Sequence, residues 1–270
     1  MTAPQYVFQS EIADNSPASG LRKLIKMGIS VLTILLVLQS LFEFLVVPQM
    51  KITRVILEGD VALSDEELFE ITGIRKNDFY YHVNSKELEE LLLNVPRIRE
   101  AKVERVFPDA LRLILVGRRP LIMALVKEDN RTIPLVCDSE GVVFQVGGEV
   151  THFDLPVLSG LNAGAVVSGL QLPLIVLPLL KQLQELKTSS PGLFAMISEI
   201  ALEKTSEYSF DIVLFPAQLP VKIRMGPELS ELALKQVAVV LDMLKRDDLF
   251  VQMNELDFRT DKVVLSSGLR

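Results

Sequence analysis

The chain is poor in the residues from which disulfides, zinc sites and most catalytic centres are built. Cys137 is its single cysteine, His82 and His152 are its only histidines, and it has no tryptophan. One cysteine excludes a disulfide within the chain, and two histidines in separate segments lack the spacing of zinc ligands. The Gly147-Gly148 pair is not followed by Lys and Ser or Thr, so there is no phosphate-binding loop. We therefore predict no metal, no cofactor and no enzymatic activity, with Cys137 as a small core residue.

Charged residues are nearly absent from one long apolar run, Met27 to Val47. Its 21 residues include a single charge, Glu43, and a helix of this length would be about 31 Å long, which matches a bilayer core. A cleaved signal peptide would have a shorter apolar region and a small-residue cleavage site, and a buried soluble helix would have a charged face. We predict a transmembrane helix over residues 27–47, preceded by a cytoplasmic tail over residues 1–26.

Basic residues flank the N-terminal side of this run. Arg22, Lys23 and Lys26 come just before it, and the first charge after Glu43 is Lys51. The positive-inside rule then places the N-terminus in the cytoplasm and everything after the helix outside. The formal net charge of the chain is −7, and the exterior carries the same charge because the tail and the helix cancel. An acidic exterior argues against nucleic acid and against docking on anionic lipid.

Five elements are predicted in the segment that follows the anchor. Ser64 and Glu67 form a capping box, which starts a helix that ends at Gly73. Pro96 stops a second helix that begins at Asn84 or Ser85. Strands are predicted at Ile52–Glu58, Ile98–Phe107 and Leu111–Val116. The order of elements is therefore β-α-α-β-β.

These residues resemble the POTRA domain of the FtsQ/DivIB family of bacterial cell-division proteins. The similarity lies in Glu58-Gly59, in the segments LSDEEL and ITGIRKNDFYYHV, and in the run VPRIREAKVERVFPDALRLILVGRRP. The residues of that run at family positions are Pro96, Ala101, Val103, Arg105, Pro108, Leu111, Arg118 and Pro120. Gly117 departs from the pattern, because the family usually has Glu there. The resemblance implies a POTRA domain over residues 49–120.

The resemblance continues over residues 121–270 and implies a C-terminal β domain. LVCDSEGVVF resembles a family hairpin with its turn at Asp138–Gly141, and Leu155–Gly160 resembles the family motif L-P-x-L-x-G. Alternating apolar residues predict three strands of a half-buried sheet, centred on Leu202, Ile212 and Ile223. The predicted fold class is α+β: one transmembrane helix, a POTRA domain, and a mixed α/β domain with an extended, mostly antiparallel sheet.

Two helices and a final strand complete this domain. Leu172–Lys187 is too short and too broken by proline to span a membrane, so we predict a core helix there. Gly226-Pro227-Glu228 is predicted to start the longest helix, with proline at its first position. Its apolar stripe comprises Leu229, Leu232, Ala233, Val237, Val240, Leu241 and Leu244. The final strand is predicted at Lys262–Leu265.

The resemblance also implies a function. Members of the family are scaffolds of the division site, so the resemblance implies a bitopic protein of the bacterial inner membrane, concentrated at the septum. The implied partners are the coiled-coil membrane proteins FtsB (DivIC) and FtsL and other divisome members. A terminal strand with no later strand to cover it is a natural free edge, to which a partner can add a strand. The residues that match the family's contact region are Glu255, Leu256, Phe258, Arg259, Val263, Val264, Leu265 and Ser266.

Other interpretations stay open at this point. A POTRA-containing outer-membrane assembly or secretion factor would need a β-barrel or several POTRA repeats, and a tethered cell-wall enzyme would need a catalytic constellation. The Tyr80-Tyr81 pair is either a partner surface or a packed core feature. The basic residues of the segment RIREAKVER favour a solvated strand face over a binding stripe; they are Arg97, Arg99, Lys102 and Arg105.

Overall fold

The computed structural model describes residues 18–45, 51–75, 78–80, 83–128, 131–161, 166–206, 209–246, 253–260 and 264–267. Its helices are α1 (Ala18–Leu45), α2 (Asp65–Thr72), α3 (Ser85–Leu93), α4 (Leu177–Ser189), α5 (Pro191–Phe194) and α6 (Glu231–Arg246). Its first six strands are β1 (Arg54–Gly59), β2 (Ile98–Val106), β3 (Ala110–Gly117), β4 (Ile122–Glu128), β5 (Arg131–Cys137) and β6 (Val143–Val146). The remaining strands are β7 (Val157–Leu161), β8 (Ile197–Ser206), β9 (Ser209–Pro216), β10 (Lys222–Met225), β11 (Met253–Asp257) and β12 (Val264–Ser267).

The described residues group into two compact units. The first contains the described residues up to 55 together with those of segments 74–84 and 105–111. The second contains segments 56–73 and 85–104 and the described residues from 112 onwards. The second unit thus includes most of the predicted POTRA domain as well as the large sheet.

Helix α1 has 28 residues and begins at Ala18, earlier than predicted. An 18-residue window within its stretch Gly20–Leu45 has a mean hydropathy of 2.0, and α1 is the one helix in the described ranges that is long and apolar enough to cross a membrane. Arg22, Lys23 and Lys26 therefore lie within the helix rather than before it. The predicted end of the span at Val47 lies outside the described residues.

The capping box predicted for α2 is present. Ser64 Oγ accepts a hydrogen bond from the Glu67 N–H at 3.1 Å, and the Glu67 carboxylate accepts one from the Ser64 N–H at 3.0 Å. Gly73 ends the helix in the left-handed conformation, and its N–H donates to the Phe69 carbonyl. The sequence thus predicted both ends of this helix correctly.

The first sheet has the strand order β1-β3-β2, which confirms the β-α-α-β-β prediction. Gly59 closes β1 with a φ of +113°, and a Cβ there would lie 1.8 Å from the Leu115 carbonyl oxygen. Only glycine fits so close to a neighbouring backbone. This is the physical reason for the Glu58-Gly59 pair on which part of the resemblance depends.

The second sheet has nine strands in the order β12-β11-β10-β9-β8-β7-β4-β5-β6. The pairs β10–β11, β4–β7 and β7–β8 are parallel and the other pairs are antiparallel, so the sheet is mostly antiparallel, as predicted. Strand β4 had no sequence-based prediction. Its segment IMALVKE is apolar on both faces, and such a run does not distinguish a strand from a buried helix.

Helices α4 and α6 cover one face of this sheet. Leu183 of α4 and Val237 of α6 are fully buried, together with sheet residues such as Ile200, Leu214 and Ile223. Strand residues that alternate with these face the other side of the sheet, where Val136, Phe144 and Val150 form a smaller buried cluster. One large hydrophobic core therefore stabilises the C-terminal domain.

Both helix starts in this domain differ from the prediction. Helix α4 begins at Leu177 rather than Leu172, because Pro173 precedes a short 3-10 turn and Pro178 takes the first helical turn. Helix α6 begins at Glu231 rather than Gly226, because the Ser230 hydroxyl accepts the Ala233 N–H at 3.2 Å. Leu232 is 67% exposed, so its assignment to the apolar stripe was wrong.

The predicted domain boundary after Pro120 stays a prediction. The Arg118 N–H donates to the Arg97 carbonyl at 2.9 Å, and Leu121 N–H donates to the Cys137 carbonyl at 3.0 Å. Lys187 Nζ donates to the Pro120 carbonyl at 2.9 Å. The segment around residue 120 is thus hydrogen-bonded on both sides.

Candidate partner-binding edge of the large sheet

Strand β12 forms one edge of the nine-stranded sheet. It pairs in antiparallel fashion with β11, with Leu256 opposite Leu265 and Asp257 opposite Val264. In the described part of the chain, no strand lies beyond it. The side of β12 that faces away from β11 therefore has backbone groups aligned for one more strand.

The described part of the final strand begins at Val264. Val263, a predicted contact residue, lies outside the described residues, as does Lys262. Val264 is 56% exposed, so its side chain is accessible at the edge. Leu265 and Ser266 belong to the paired backbone of β12.

The other predicted contact residues lie in or just after β11, and they are not equally accessible. Leu256 is fully buried in the main core, so its side chain supports the sheet and is not presented to a partner. Phe258 is half-buried and packs against the same core, and its N–H donates to the Arg224 carbonyl at 2.8 Å. Glu255 and Arg259 have side chains in ion pairs.

Those ion pairs form two short ladders across neighbouring strands. Arg224 of β10 contacts Glu255 of β11 at 2.5 Å and also pairs with Glu203 of β8. Arg259 contacts Asp257 at 2.6 Å and Asp211 of β9 at 3.2 Å. Each guanidinium thus lies between two carboxylates.

The pKa values follow from this arrangement. The hydrogen bonds that Arg259 donates lower the pKa of Asp257, and those that Asp257 and Asp211 accept raise the pKa of Arg259. Hydrogen bonds to Glu203 and Glu255 raise the pKa of Arg224. A charged partner would have to compete with pairs that are already made. The backbone of β12, rather than this charged face, is therefore the feature best suited to binding.

A second ion-pair cluster was not predicted from the sequence. Asp138 is 4% exposed and pairs with Arg118 at 2.6 Å, while Arg118 also contacts Glu140 at 2.9 Å and donates from Nε to the Pro96 carbonyl at 3.0 Å. Arg99 contacts Glu140 at 2.9 Å. Sequence reasoning noted Arg118 and Asp138 as separate motif residues but had no signal that joins them.

The cluster ties the end of the first sheet to the β5–β6 turn. The second carboxylate oxygen of Asp138 accepts the N–H groups of Glu140 and Val142, both at 3.0 Å. Burial alone would lower the pKa of Arg118, but the hydrogen bonds to Asp138 and Glu140 outweigh it and raise the pKa. Asp138 is thus satisfied on both oxygens, as a buried carboxylate must be.

The remaining candidate residues take structural positions. Tyr80 is 5% exposed and belongs to a small core with Ile52 and Leu111, while Tyr81 lies outside the described residues. Arg97 pairs with Glu67 at 2.9 Å, and Lys102 pairs with Glu104 at 2.7 Å. These contacts fit the interpretation of a solvated, ion-paired strand face.

Chemically reactive groups are scarce in the described ranges. They contain no group of three or more His, Cys, Asp and Glu residues that could hold a metal ion. Cys137 is fully buried, and burial raises the pKa of its thiol to about 12. A thiol with so high a pKa is a poor nucleophile at neutral pH.

Comparison with known families agrees with this architecture. A family model described as the FtsQ-type POTRA domain matches residues 50–118, and one described as the C-terminal part of the cell division protein FtsQ/DivIB matches residues 124–259. The second match alone covers half of the 270-residue chain. The chain belongs to the FtsQ/DivIB family.

Individual relatives of this FtsQ/DivIB chain are distant. The cell division protein DivIB of Geobacillus kaustophilus is 26% identical over 159 residues, which cover 59% of this chain and 55% of that protein. The cell division protein FtsQ of Geotalea daltonii is 22% identical over 219 residues, which cover 80% of this chain and 75% of that protein. The chain thus spans about half the length of the first relative and three quarters of the second.

A solved structure of the major extracytoplasmic domain of DivIB from Geobacillus stearothermophilus was also matched. It is 18% identical, covers 48% of this chain and 98% of its own, and superposes with a TM-score of 0.30. Family membership therefore depends on the two family models.

Gly117 is the position at which the sequence departs from the pattern that it resembles. The Gly117 N–H donates to the Asp60 carboxylate at 2.6 Å. A Cβ at position 117 would lie 3.0 Å from Val61 Cγ2 and 3.4 Å from Asp60 Oδ1. In this chain the carboxylate of Asp60, the residue after β1, thus lies beside position 117. The fold therefore does not need Glu at that position.

Proposed function

We propose that this FtsQ/DivIB chain is a bitopic membrane scaffold of the bacterial divisome, which binds other division proteins through its extracytoplasmic domains. The observation that carries the proposal is the outer side of β12 at the end of a nine-stranded sheet, beyond which the described residues place no further strand. Strand addition there uses backbone hydrogen bonds, with exposed side chains such as Val264 adding specificity. The fold thus offers a binding surface that needs no catalytic group.

The proposed partners are FtsB/DivIC-like and FtsL-like coiled-coil proteins. Support comes from the family and from the position of the predicted contact residues. Val264, Leu265 and Ser266 lie on the edge strand, and Glu255 and Arg259 lie beside it. Leu256 and Phe258 would act indirectly, because their packing fixes the position of β11.

The test compares proline variants of two consecutive edge residues. Consecutive N–H groups of a strand point in opposite directions, so one of Val264 and Leu265 faces β11 and the other faces the free side. Proline at the outward position removes a donor needed by an added strand but none needed by the fold. The full chain in lipid nanodiscs is titrated with an FtsB/DivIC-like protein, and melting curves are recorded in parallel.

We expect one of Val264→Pro and Leu265→Pro to keep the parent melting temperature and lose partner binding. Val264→Ala, which keeps the backbone donor, is the matched control and should bind. If both proline variants fold and bind like the parent, the partner site does not lie on β12, and the POTRA domain becomes the candidate.

We propose that the N-terminus is cytoplasmic and that the protein is concentrated at the septum of the inner membrane. The basic residues Arg22, Lys23 and Lys26 at the start of α1 support this orientation. A reporter that is active only outside the cytoplasm should be active when fused after Arg270. Activity of a cytoplasm-specific reporter at that position would overturn the orientation.

A further inference from the structure

Three segments of the first compact unit meet at the end of β1 that is joined to α1. Lys51 forms a β-bridge with Phe79, and the Ile52 N–H donates to the Asp78 carbonyl at 2.9 Å. The Thr53 N–H donates to the Asp109 carbonyl, also at 2.9 Å. The loops around Phe79 and Asp109 are therefore fixed to residues 51–53.

This end of the POTRA domain is tethered closely to α1. Five residues lie between Leu45, the last residue of α1, and Lys51, so six Cα–Cα steps join the two. A chain spans at most about 3.6 Å per residue, so Lys51 lies within about 22 Å of the end of the helix. If α1 spans a bilayer, these loops are confined to the region next to its surface.

Two aromatic side chains at this end face solvent. Phe107 is 68% exposed and Phe79 is 41% exposed, whereas Tyr80 and Leu111 nearby are buried with Ile52. The buried cluster holds the backbone of these loops in place, so the exposed rings stand on a fixed platform. Aromatic and large apolar side chains are favoured where protein meets the headgroup layer.

The charge at this end differs from that of the whole chain. Its described residues include four exposed basic side chains and two aspartates, a net charge of +2 against −7 for the chain. The basic residues are Lys51, Arg54, Arg75 and Arg105, and the aspartates are Asp78 and Asp109. The acidic average of the sequence therefore hides a basic region, and that region is the one tethered to the anchor.

We propose that a tip formed by Lys51, Arg54, Arg75, Phe79, Arg105 and Phe107 rests on the anionic lipid surface from which α1 emerges. The proposal depends on the anchoring role of α1 but not on its orientation or on any divisome partner. Phe107 enters the headgroup layer, and Lys51 and Arg105 bind lipid phosphates, whereas Arg54 is already paired with Asp109 at 2.9 Å. The contact orients the POTRA domain relative to the bilayer.

The absence of tryptophan makes this contact directly measurable. Phe107→Trp places a single indole at the tip, and Phe153→Trp places one at a phenylalanine that is 72% exposed in the second unit. Each full-length variant is incorporated into nanodiscs that contain brominated phospholipids, which quench tryptophan on contact. Co-purification of protein with discs reports anchoring separately, so failure of the anchor and failure of the tip contact give different results.

We expect the emission of the Phe107→Trp variant to be quenched and shifted to shorter wavelength, while that of the Phe153→Trp variant keeps the values of a water-exposed indole. Equal quenching of the two anchored variants would overturn the proposal. Melting curves that match the parent exclude misfolding as the cause, and both substitutions are at exposed positions.

Lipid charge tests the role of the basic residues. In discs with anionic lipid, adding Arg105→Gln to Phe107→Trp should reduce the ratio of contacting to free tips roughly five-fold, because one basic charge near such a surface is removed. In zwitterionic discs the same substitution should have little effect. Quenching that is independent of both lipid charge and Arg105 would overturn the assignment of the basic residues to phosphate binding.

Discussion

The two edges of the nine-stranded sheet differ in whether other described residues pair with their backbone. At the β6 edge, Val143 donates its N–H to the Leu170 carbonyl at 2.9 Å and accepts the Gly169 N–H at 2.7 Å. A further bridge joins Val142 to Gln171. At the β12 edge, the described residues provide no such cover. Within the described residues, the chain therefore covers one edge of the sheet with its own loop and pairs no strand with the other edge.

Covering one edge of a sheet limits unwanted pairing. An open edge invites aggregation as well as specific partners, so a sheet with two open edges would be a liability. Here the covered edge is continuous with the core, since Val143 is fully buried. The open edge is a strand of four residues. We therefore expect substitutions at the covered edge to affect folding and those at the open edge to affect binding.

The largest effect is expected at the ion pair beside the covered edge. Arg118→Leu leaves Asp138 buried without its charged partner, which should lower the free energy of unfolding by about 3–5 kcal/mol. Arg99→Leu is the control, because the Arg99 side chain is 46% exposed and pairs with Glu140 at the surface. This substitution should lower the free energy of unfolding by less than about 1 kcal/mol. Urea unfolding of the full chain in nanodiscs measures both. Similar losses in the two variants would show that the Asp138 pair does not stabilise this edge.

A smaller but clear contrast is expected from proline at the two edges. Val143→Pro removes the N–H that donates to the Leu170 carbonyl and introduces a ring into a buried strand. It should therefore lower the free energy of unfolding by about 3 kcal/mol. One of Val264→Pro and Leu265→Pro has its ring on the side of β12 that faces away from β11. That variant should lower the free energy of unfolding far less. Thermal melting of the three variants checks this. If all three unfold together, β12 is as essential to the fold as β6, and the functional distinction between the edges fails.

The smallest expected effect concerns the stability of the fold at acidic pH. Hydrogen bonds from Arg118 lower the pKa of Glu140 in the folded state, so this carboxylate stabilises the fold fully above its unfolded pKa near 4.5 and loses that contribution as the pH falls below it. Glu140→Gln should therefore make stability less sensitive to pH in this acid range. Glu185→Gln, at an exposed position of α4, is the control and should retain the parent profile. A variant profile parallel to that of the parent would contradict the prediction.

Local signals predicted much of this architecture. The capping box of α2, the helix stop at Pro96 and the alternation in β9 and β10 all act within a few residues, and each is visible in the sequence. The start of α6 was misplaced because two local signals competed, and the Ser230 cap outweighed Pro227.

Contacts between distant segments were beyond sequence reasoning. Arg118 and Asp138 are 20 residues apart, and neither motif indicates that the other residue is its partner. Likewise, Leu256 was predicted as a contact residue from its place in a motif, but its burial depends on which face of β11 meets α6 and the other strands. The pairing of Arg118 with Asp138 and the burial of Leu256 depend on how the whole domain packs. A pattern within a short sequence window does not contain that information.

The strand order of the large sheet also makes it a spacer of fixed length. Strand β4 continues from the POTRA domain, and six strand-to-strand steps separate it from β12. At about 4.8 Å per step, the outer strand lies roughly 29 Å from β4. If a partner adds a strand to β12 as proposed, its distance from β4 is set by the number of strands between them, and small changes in loop length would not alter it.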